Sequence, residues 1–395
     1  MSDRLPKQPA AINEVPQTPR TDHTSLFELA RLFLKLGTIA FGGPPAHIAM
    51  MEDEVVTRRG WLTREQFLDF LGAANLIPGP TSTEMAIHVG RVQAGWPGLL
   101  VAGSCFILPS SVMVVVLAWL YLRLGSLPQV AGVLYGVKPV VIALIVQAVL
   151  KLGKSALKST WLLAVGAAAV FAFARGVDEL AVLAAGGLLA GIAHRVRSGR
   201  AGKPSPAVLS VAGMSGAMVA VPFGLGALFL VFLKIGAILF GGGYVLVALI
   251  RSNLVARLGW ISERQLLDAV AMGQVTPGPL STTATFIGYL LGGFPGATLA
   301  TVAIFLPAFV LVAISGPLVP RLRQSPMAGA VLDGVNVAAL ALITVVAWQL
   351  ARAAVIDWIT LVLAGVSVWL LMRYRVNSVW LVLGGAAVGL VRLWW

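Results

Sequence analysis

The chain has 395 residues, of which 58% are hydrophobic and only 11% charged, and its formal net charge is +13. Soluble domains contain about a quarter charged residues, so this composition excludes an ordinary soluble domain. Long apolar runs predict an all-α polytopic membrane protein, because helices satisfy their own backbone hydrogen bonds in lipid. The basic residues fall in short loops between these runs, which indicates cytoplasmic loops and no nucleic-acid partner. The single cysteine, Cys105, excludes a disulfide framework.

Four segments are predicted along the chain. Residues 1–25 contain four prolines and no apolar core, which is typical of a disordered cytoplasmic tail rather than a signal peptide. Residues 26–194 form a first repeat and residues 226–395 a second. Between them, residues 195–225 are predicted to form a basic cytoplasmic linker and a connecting span.

The two repeats share motifs at a nearly constant spacing. The Phe-Gly-Gly motif at 41–43 returns 199 residues later at 240–242, and the Pro-Gly-Pro motif at 78–80 returns 199 residues later at 277–279. The Leu-Pro pair at 108–109 returns 198 residues later at 306–307. Duplicated halves with glycine- and proline-broken apolar segments at matching places indicate a transporter whose binding site lies at the breaks.

Each Pro-Gly-Pro motif predicts a broken or re-entrant helix, because proline removes a backbone donor and glycine permits a reversal. Hydroxyl side chains follow each break, at 81–83 and 281–283, and we expect them to cap a helix that begins inside the membrane. The N-terminus of such a helix attracts anions through its free N–H groups and its dipole. Two helix hairpins with ordinary Pro-Gly turns are the alternative.

The glycines of the Phe-Gly-Gly motifs allow either close helix packing or backbone amides that face a ligand. Three lysines, Lys35, Lys138 and Lys234, stand in apolar segments. A lysine within a span indicates function by default, so we expect these three to add positive charge to a site for a dianion. Snorkelling to the interface is the alternative for Lys35 and Lys234.

Glu84 and His88 lie one helical turn apart, directly beyond the first Pro-Gly-Pro motif. The second repeat has no ionisable pair at these positions. A carboxyl and an imidazole in a membrane cavity exchange protons near neutral pH, so the pair is the candidate for proton coupling. A buried structural hydrogen bond, or exposure close to the loop at Arg91, is the alternative.

Loop charges predict that the two halves are inverted in the membrane. Lys151, Lys154 and Lys158 indicate a cytoplasmic loop, and the turn at Arg175 then faces outward. In the second repeat the basic charge moves to the matching opposite turn, at Arg373 and Arg375. An extra span at about 207–222 supplies the odd crossing that inversion requires. The count is about 13 transmembrane helices, with the N-terminus in the cytoplasm and the C-terminus outside.

With these residues in view, the sequence resembles the chromate ion transporter family in its long two-domain form. The resemblance is carried by the segments 41–48, 58–62, 75–86, 94–96 and 106–109, and by the diverged second copy at 231–345. It covers nearly the whole chain from residue 26 onward. The resemblance implies a secondary transporter that exports chromate from the bacterial cytoplasm across the inner membrane. It also implies that membrane potential or a proton gradient drives the export, which gives chromate resistance.

The predicted mechanism places the oxyanion between the two helix N-termini, with rocking of the halves giving alternating access. The predicted substrate-binding residues are Lys35, Gly42, Gly43, Asn75, Pro78, Gly79, Pro80, Thr81, Ser82, Thr83, Lys138, Lys234, Gly241, Gly242, Gln274, Pro277, Gly278, Pro279, Ser281 and Thr282. No cofactor or metal is predicted, since metal-ligand spacings, a P-loop and a nucleophile elbow are absent from the sequence, which argues against an enzyme. A sulfate transporter, a passive anion channel and a membrane-embedded chromate reductase are the alternatives, and a homodimer is left open.

Overall fold

The computed structural model describes residues 24–125, 127–197, 222–240, 242–315, 325–374 and 376–394, and within these ranges it is helical without strands. The α-helices of the described chain are α1 (Leu26–Ile39), α2 (Gly43–Glu52), α3 (Arg64–Ala74), α4 (Thr81–Leu124), α5 (Pro128–Ala156), α6 (Thr160–Ala174), α7 (Glu179–Arg197), α8 (Leu225–Ala237), α9 (Gly243–Ile250), α10 (Glu263–Val275), α11 (Thr283–Ser315), α12 (Pro326–Ala354), α13 (Trp358–Arg373) and α14 (Ser378–Val391). Short π-helices, Asp53–Arg58 and Arg251–Arg257, follow α2 and α9, and a 3₁₀ turn, Leu280–Thr282, precedes α11. A last 3₁₀ turn, Arg392–Trp394, follows α14.

Within the described residues, five helical segments are long and apolar enough to cross a bilayer. They are Thr81–Leu124, Pro128–Ala156, Glu179–Val196, Leu280–Ile314 and Pro326–Ala354. Shorter apolar helices, among them Thr160–Ala174 and Leu225–Ala237, stand beside them. The prediction of an all-helical polytopic membrane protein is therefore confirmed. Three parts of the sequence prediction lie outside the described residues. They are nearly all of the connecting span at 207–222, most of the N-terminal tail, and Gly241, one of the predicted substrate-binding glycines.

The long helices α4 and α11 are hairpins rather than straight rods. The backbone of α4 leaves helical geometry at Ala94 and Gly95, and that of α11 does so at Gly292 and Gly293. Beyond each break the chain returns along itself, so that a Cβ placed on Gly90 would contact Ala102 of the same helix. The arm that follows each Pro-Gly-Pro motif therefore turns back within the protein, as a broken or re-entrant helix does.

The spacing between the repeats changes from 199 to 198 residues inside these hairpins. In the first half α4 begins at Thr81, directly after Pro80. In the second half a 3₁₀ turn, Leu280–Thr282, comes before α11. Three residues of 3₁₀ helix rise about 6 Å, which is the rise of about four α-helical residues. The two halves therefore differ in backbone conformation directly after the break.

Capping boxes begin α3 and α10 at equivalent positions. Thr63 accepts from the Gln66 backbone while the Gln66 side chain accepts from the Thr63 backbone, and Ser262 and Gln265 repeat this pattern 199 residues later. Such reciprocal bonds satisfy two backbone donors at the start of a helix. They fix where each helix begins and therefore where the following Pro-Gly-Pro loop lies.

The two halves are interlaced. Helix α5 of the first half packs against α13 and α14 of the second, and α12 of the second packs against α6 and α7 of the first. These crossings are close because glycine meets glycine: Gly136 lies against Gly385, and Gly186 lies against Gly334. The hairpins α4 and α11 also pack together and carry α1 and α8 on their flanks.

Polar pairs mark the ends of α5 and α12, which are equivalent helices. Lys158, just beyond the end of α5, binds Asp333 near the start of α12 at 2.7 Å. Tyr135, near the start of α5, donates to Asp357, just beyond the end of α12, at 2.7 and 2.8 Å. The start of each helix thus lies beside the end of the other.

Candidate functional site

The two Pro-Gly-Pro motifs make reciprocal hydrogen bonds to the opposite half. The backbone N–H of Gly79 donates to the carbonyl of Leu239 at 2.9 Å. Its counterpart Gly278 donates to the carbonyl of Ala40, the counterpart of Leu239, also at 2.9 Å. Each break is therefore held by the loop that precedes the Phe-Gly-Gly motif of the other repeat. The two motifs that recur in the sequence meet across the halves.

Both central glycines are required by their surroundings. Gly79 and Gly278 have φ angles of 152° and 92°, which disfavour residues with a side chain. A Cβ on Gly278 would lie 2.8 Å from the Cβ of Ser110, and a Cβ on Gly79 would lie 3.3 Å from that of Ala308, the counterpart of Ser110. The second helix arm of one half thus closes on the break of the other.

The expectation that hydroxyl side chains cap these helices is wrong. Pro80 and Pro279 occupy the N-cap positions, and neither helix start has a side-chain cap within the described chain. Thr282 and Thr283 instead donate backward, to the carbonyls of Pro279 and Leu280, at 2.8 Å each. A threonine hydroxyl satisfies a preceding carbonyl in this way when the backbone turns tightly. The first amides of both helices are left without a side-chain acceptor.

Several hydroxyl groups at the breaks are buried in the protein. The Oγ atoms of Thr83 and Ser281 have no hydrogen-bond partner among the described residues. Ser110 and Thr282 pair with each other at 3.0 Å across the halves. Buried polar groups normally make hydrogen bonds, so these unpaired hydroxyls can bind a ligand.

A cleft lies where the first Phe-Gly-Gly motif meets the second Pro-Gly-Pro motif. Its lining residues are Ala40, Gly42, Gly43, Pro44, Tyr244, Gly273, Gln274, Thr276, Gly278 and Leu280. The free volume is about 10 Å³, which is about the room of one water molecule. The amide nitrogen of Gln274 is buried there, close to the hydroxyl of Tyr244. The cleft is small, and Tyr244, Gln274 and Thr276 supply its polar side chains.

A wide vestibule adjoins this cleft and shares Gly42 and Tyr244 with it. Its volume is about 760 Å³, and two lysines of α5, Lys151 and Lys154, stand on its wall. The opposite wall comes from α2 and from the turn between α13 and α14. Gln147 of α5 also donates to the carbonyl of Leu371 at 3.2 Å. The vestibule therefore leads from a basic entrance to the polar cleft.

The three predicted site lysines are bound to carboxylates. Lys35 contacts Glu54 at 2.6 Å, and Lys234 contacts Glu179 at 3.2 Å. Lys138 contacts the buried Asp268 at 2.8 Å, and Tyr121 donates to the same carboxylate at 2.8 Å. None of the three lysines is among the residues that line the cleft or the vestibule of the described chain. A buried ion requires a partner, and here the partner is part of the protein.

Glu84 and His88 are both buried beside the first break. Neither carboxylate oxygen of Glu84 has a hydrogen-bond partner in the described part of the chain, and the same holds for Nε2 of His88. The imidazole stacks on Phe70, with ring centres 5.3 Å apart. A hydrogen bond between Glu84 and His88, the structural alternative, is therefore not formed. Glu84 lies against Gly79, so it faces the Pro-Gly-Pro break directly.

The structure brings only part of the predicted site together. Four predicted residues line the cleft: Gly42, Gly43, Gln274 and Gly278. Asn75, the counterpart of Gln274, is exposed, and the break prolines Pro80, Pro277 and Pro279 are buried. Tyr244, Thr276 and Ser110 were missed. The signal for Ser110 was present in the sequence, since it follows the repeated Leu-Pro pair.

A helical membrane protein whose duplicated backbone breaks meet around a polar cleft has the architecture of a membrane transporter. The chromate transporter family model matches residues 27–192 and again 226–390, so the chain belongs to that family. The chromate transport protein of Cupriavidus metallidurans is 34% identical over 391 residues, 95% of this chain and 98% of that protein.

Two further relatives extend the comparison. The chromate transport protein of Pseudomonas aeruginosa is 34% identical over 82% of this chain and 81% of its own length. A shorter transporter of Bacillus subtilis, YwrA, is 34% identical over 32% of this chain and 71% of its own length. No solved structure gives a significant match.

Proposed function

We propose that this protein is a secondary transporter that exports chromate from the bacterial cytoplasm across the inner membrane and so gives chromate resistance. The family membership and the known relatives, which are chromate transport proteins, support the substrate. One structural observation carries the mechanism: the Pro-Gly-Pro breaks bond reciprocally to the opposite halves and border a polar cleft. Backbone breaks of this kind persist in a membrane where they line a ligand cavity.

The two repeats enter the membrane in opposite directions. The end-to-end contacts of α5 and α12, through the Lys158–Asp333 and Tyr135–Asp357 pairs, support this arrangement. So does the position of the turn between α13 and α14 at the end of α5, since a parallel duplication would put that turn at the other face. With the connecting span, inversion gives about thirteen spans with the N-terminus in the cytoplasm.

The vestibule is the cytoplasmic entrance. Lys151 and Lys154 on its wall belong to the basic loop that the positive-inside rule assigns to the cytoplasm. Their charge attracts a dianion before it reaches the cleft. Export of a dianion from a negative interior is favourable by about 2.3 kcal/mol per charge for each 100 mV, so by about 4.6 kcal/mol for two charges.

The oxyanion binds at the cleft, with the backbone of Gly42 and Gly43 and the side chain of Gln274 as hydrogen-bond donors. The position of these three residues in the lining of the cleft supports this assignment. The free volume of about 10 Å³ is smaller than an oxyanion, so the helices part when it binds. Lys35, Lys138 and Lys234 hold the surrounding helices through their carboxylates rather than neutralise the substrate.

Glu84 and His88 are the proton-coupling candidates, because both are buried at the first break and Glu84 has no partner among the described residues. Glu84→Gln removes the titrating group while keeping the shape of the side chain. If protons couple to export, chromate flux in Glu84→Gln and His88→Ala loses its response to an imposed pH gradient but keeps its response to potential. An unchanged pH response in both variants would contradict the assignment.

Chromate uptake into inverted membrane vesicles tests the function, with membrane potential and pH gradient set independently. Export in the cell corresponds to uptake here, and we expect it to saturate with concentration when the vesicle interior is made positive. Excess sulfate as competitor tests whether the site accepts another tetrahedral dianion. A conductance that does not saturate would favour a channel. Absence of chromate flux under every condition would overturn the proposal.

A further inference from the structure

Equivalent surfaces of the two halves differ in exposure. Helix α9 is buried at every residue except Tyr244, which lines the cleft and the vestibule. In its counterpart α2 only His47 and Met51 are buried, and Pro45 and Ala46 line the vestibule. Ala46 corresponds to Val245, which is 1% exposed. Helix α9 packs against α12, whereas the matching surfaces of α2 and α5 face each other across the vestibule.

A polar cluster closes the packed side. Glu179, at the start of α7, is 4% exposed and accepts hydrogen bonds from Ser252 at 2.7 Å and Asn253 at 2.8 Å. Lys234 reaches both Glu179 at 3.2 Å and Asn253 at 3.1 Å. The cluster ties α7 of the first half to α8 and the π-helix of the second.

On the open side, only two of the three matching positions are in contact. Lys35 and Glu54 correspond to Lys234 and Asn253, and they bind each other at 2.6 Å. The counterpart of Glu179 is Asn377, which lies in the wall of the vestibule and accepts a hydrogen bond from the nearby Val379 backbone. The same three positions thus form a closed cluster at one face and an open rim at the other.

We propose that Glu179, Lys234, Ser252 and Asn253 form a closed gate on the face opposite to the vestibule, and that Lys35, Glu54 and Asn377 form its counterpart when the vestibule closes. The proposal rests on the proposed transport function. In each gate, a residue at the start of α7 or α14 contacts the helix of the other half that carries the lysine, α8 or α1. Breaking one gate therefore shifts the population toward the state that is open at that face.

Cysteine labelling of Ala46 and Val245 reports the two states. Cys105 is the only cysteine, so Cys105→Ala gives a clean background. Ala46→Cys and Val245→Cys are each treated with a membrane-impermeant maleimide in inverted and in right-side-out vesicles. With intact gates, Ala46→Cys reacts from the vestibule face, while Val245→Cys resists from both faces.

Glu179→Gln, which removes the charge of the closed gate, reverses this pattern. Val245→Cys becomes reactive from the face opposite to the vestibule, and labelling of Ala46→Cys slows by about threefold or more. Ser252→Ala removes one hydrogen bond of the gate and gives smaller changes in labelling in the same direction. This variant keeps the test available if the Glu179→Gln protein does not fold in useful amounts. Glu54→Gln is the matched control in the other half, and in it Val245→Cys stays resistant.

Unchanged labelling at both reporters in Glu179→Gln and Ser252→Ala would overturn the gate. Labelling requires no chromate, so the gate and the substrate are tested separately. Reciprocal labelling in a protein without chromate flux would refute the proposed substrate and leave the gate standing. Normal chromate flux with unchanged labelling would support the proposed substrate and refute the gate.

Discussion

Equivalent charged residues of the two halves have different surroundings. Asp69 of α3 is exposed, whereas its counterpart Asp268 of α10 is fully buried and binds Lys138 and Tyr121 of the first half. A buried carboxylate costs several kcal/mol unless it is paired and hydrogen-bonded, so Asp268 depends on both partners. In the second copy, the duplicated position therefore binds the two halves together.

Asp268→Asn leaves the buried ammonium of Lys138 without its counterion. We expect a loss of about 3–5 kcal/mol of stability, since breaking one side of a buried pair leaves an uncompensated charge. Thermal unfolding in detergent measures this as a lower midpoint temperature.

Two controls isolate the charge. Asp69→Asn, the same change at the exposed counterpart, lowers the midpoint much less, because an exposed carboxylate keeps its water. The double variant Lys138→Met/Asp268→Leu recovers most of the lost stability, because it removes both charges. A single Asp268→Asn variant as stable as the wild type would contradict the role of the pair.

Gly278→Ala tests the break itself. The alanine would need a φ of 92° and would bring its Cβ to 2.8 Å from that of Ser110. A left-handed conformation alone costs about 1–2 kcal/mol in a residue with a side chain. We expect chromate flux per folded molecule to fall by about tenfold or more, since the break cannot keep its bond to Ala40. Gly365→Ala, on α13 with no atom within 4 Å of the new Cβ, should keep full flux.

At the level of helices, close glycine contacts set how the halves interlace. Gly385 of α14 meets the backbone of Gly136 of α5, so a side chain on either glycine forces the two helices apart. Without a hydrophobic force between helices in lipid, such packing is a main source of association. The neighbouring Gly384 has nothing within 4 Å of an added Cβ.

Gly385→Val and Gly384→Val therefore form a matched pair on one helix. Gly385→Val should lower the thermal midpoint in detergent and reduce the amount of folded protein, because α14 can no longer reach α5. Gly384→Val should behave like the wild type. Equal effects of the two substitutions would contradict the α5–α14 contact.

The junction between α1 and the first π-helix should be sensitive to acid. The pKa of Glu54 is held below its ordinary value of 4.5 by the hydrogen bond from Lys35, with Arg59 adding to the effect. The ion pair contributes fully to stability above pH 4.5 and loses its contribution as the pH falls through the lowered pKa of the folded state.

A series of thermal midpoints from neutral to acid pH tests this junction. Below pH 4.5 the wild type should lose stability more steeply than Glu54→Gln, which has no carboxylate to protonate. Parallel curves for the two proteins would show that Glu54 contributes no ionic stability.

The sequence was sufficient to predict the helical membrane class, the duplication and the re-entrant breaks, because proline, glycine and apolar runs act through local backbone chemistry. The lysine partners were not predicted. Glu179, which binds Lys234, and Asp268, which binds Lys138, lie far along the chain from their lysines and come from the opposite half. The prediction of hydroxyl caps was wrong because proline occupies the N-cap position. The hydroxyls donate to the preceding carbonyls instead.

In the whole molecule, duplication gives two similar halves. The difference in conformation between the halves decides which face of the protein is open. The vestibule opens beside α2 and α5, while the same surfaces of α9 and α12 are packed shut. A protein with two matched halves has two such states of similar energy, because exchanging the conformations of the halves exchanges the open face. The basic vestibule and the break residue Glu84 distinguish the two faces.

Reconstitution of the purified protein into liposomes tests the central claim most directly. Radiolabelled chromate flux is measured under an imposed membrane potential, for the wild type, Gly278→Ala and Gly365→Ala. The account predicts saturable chromate movement toward the positive side for the wild type and Gly365→Ala, and little for Gly278→Ala. Absence of chromate movement in the wild type at every potential, or full movement in Gly278→Ala, would contradict transport through the paired Pro-Gly-Pro breaks.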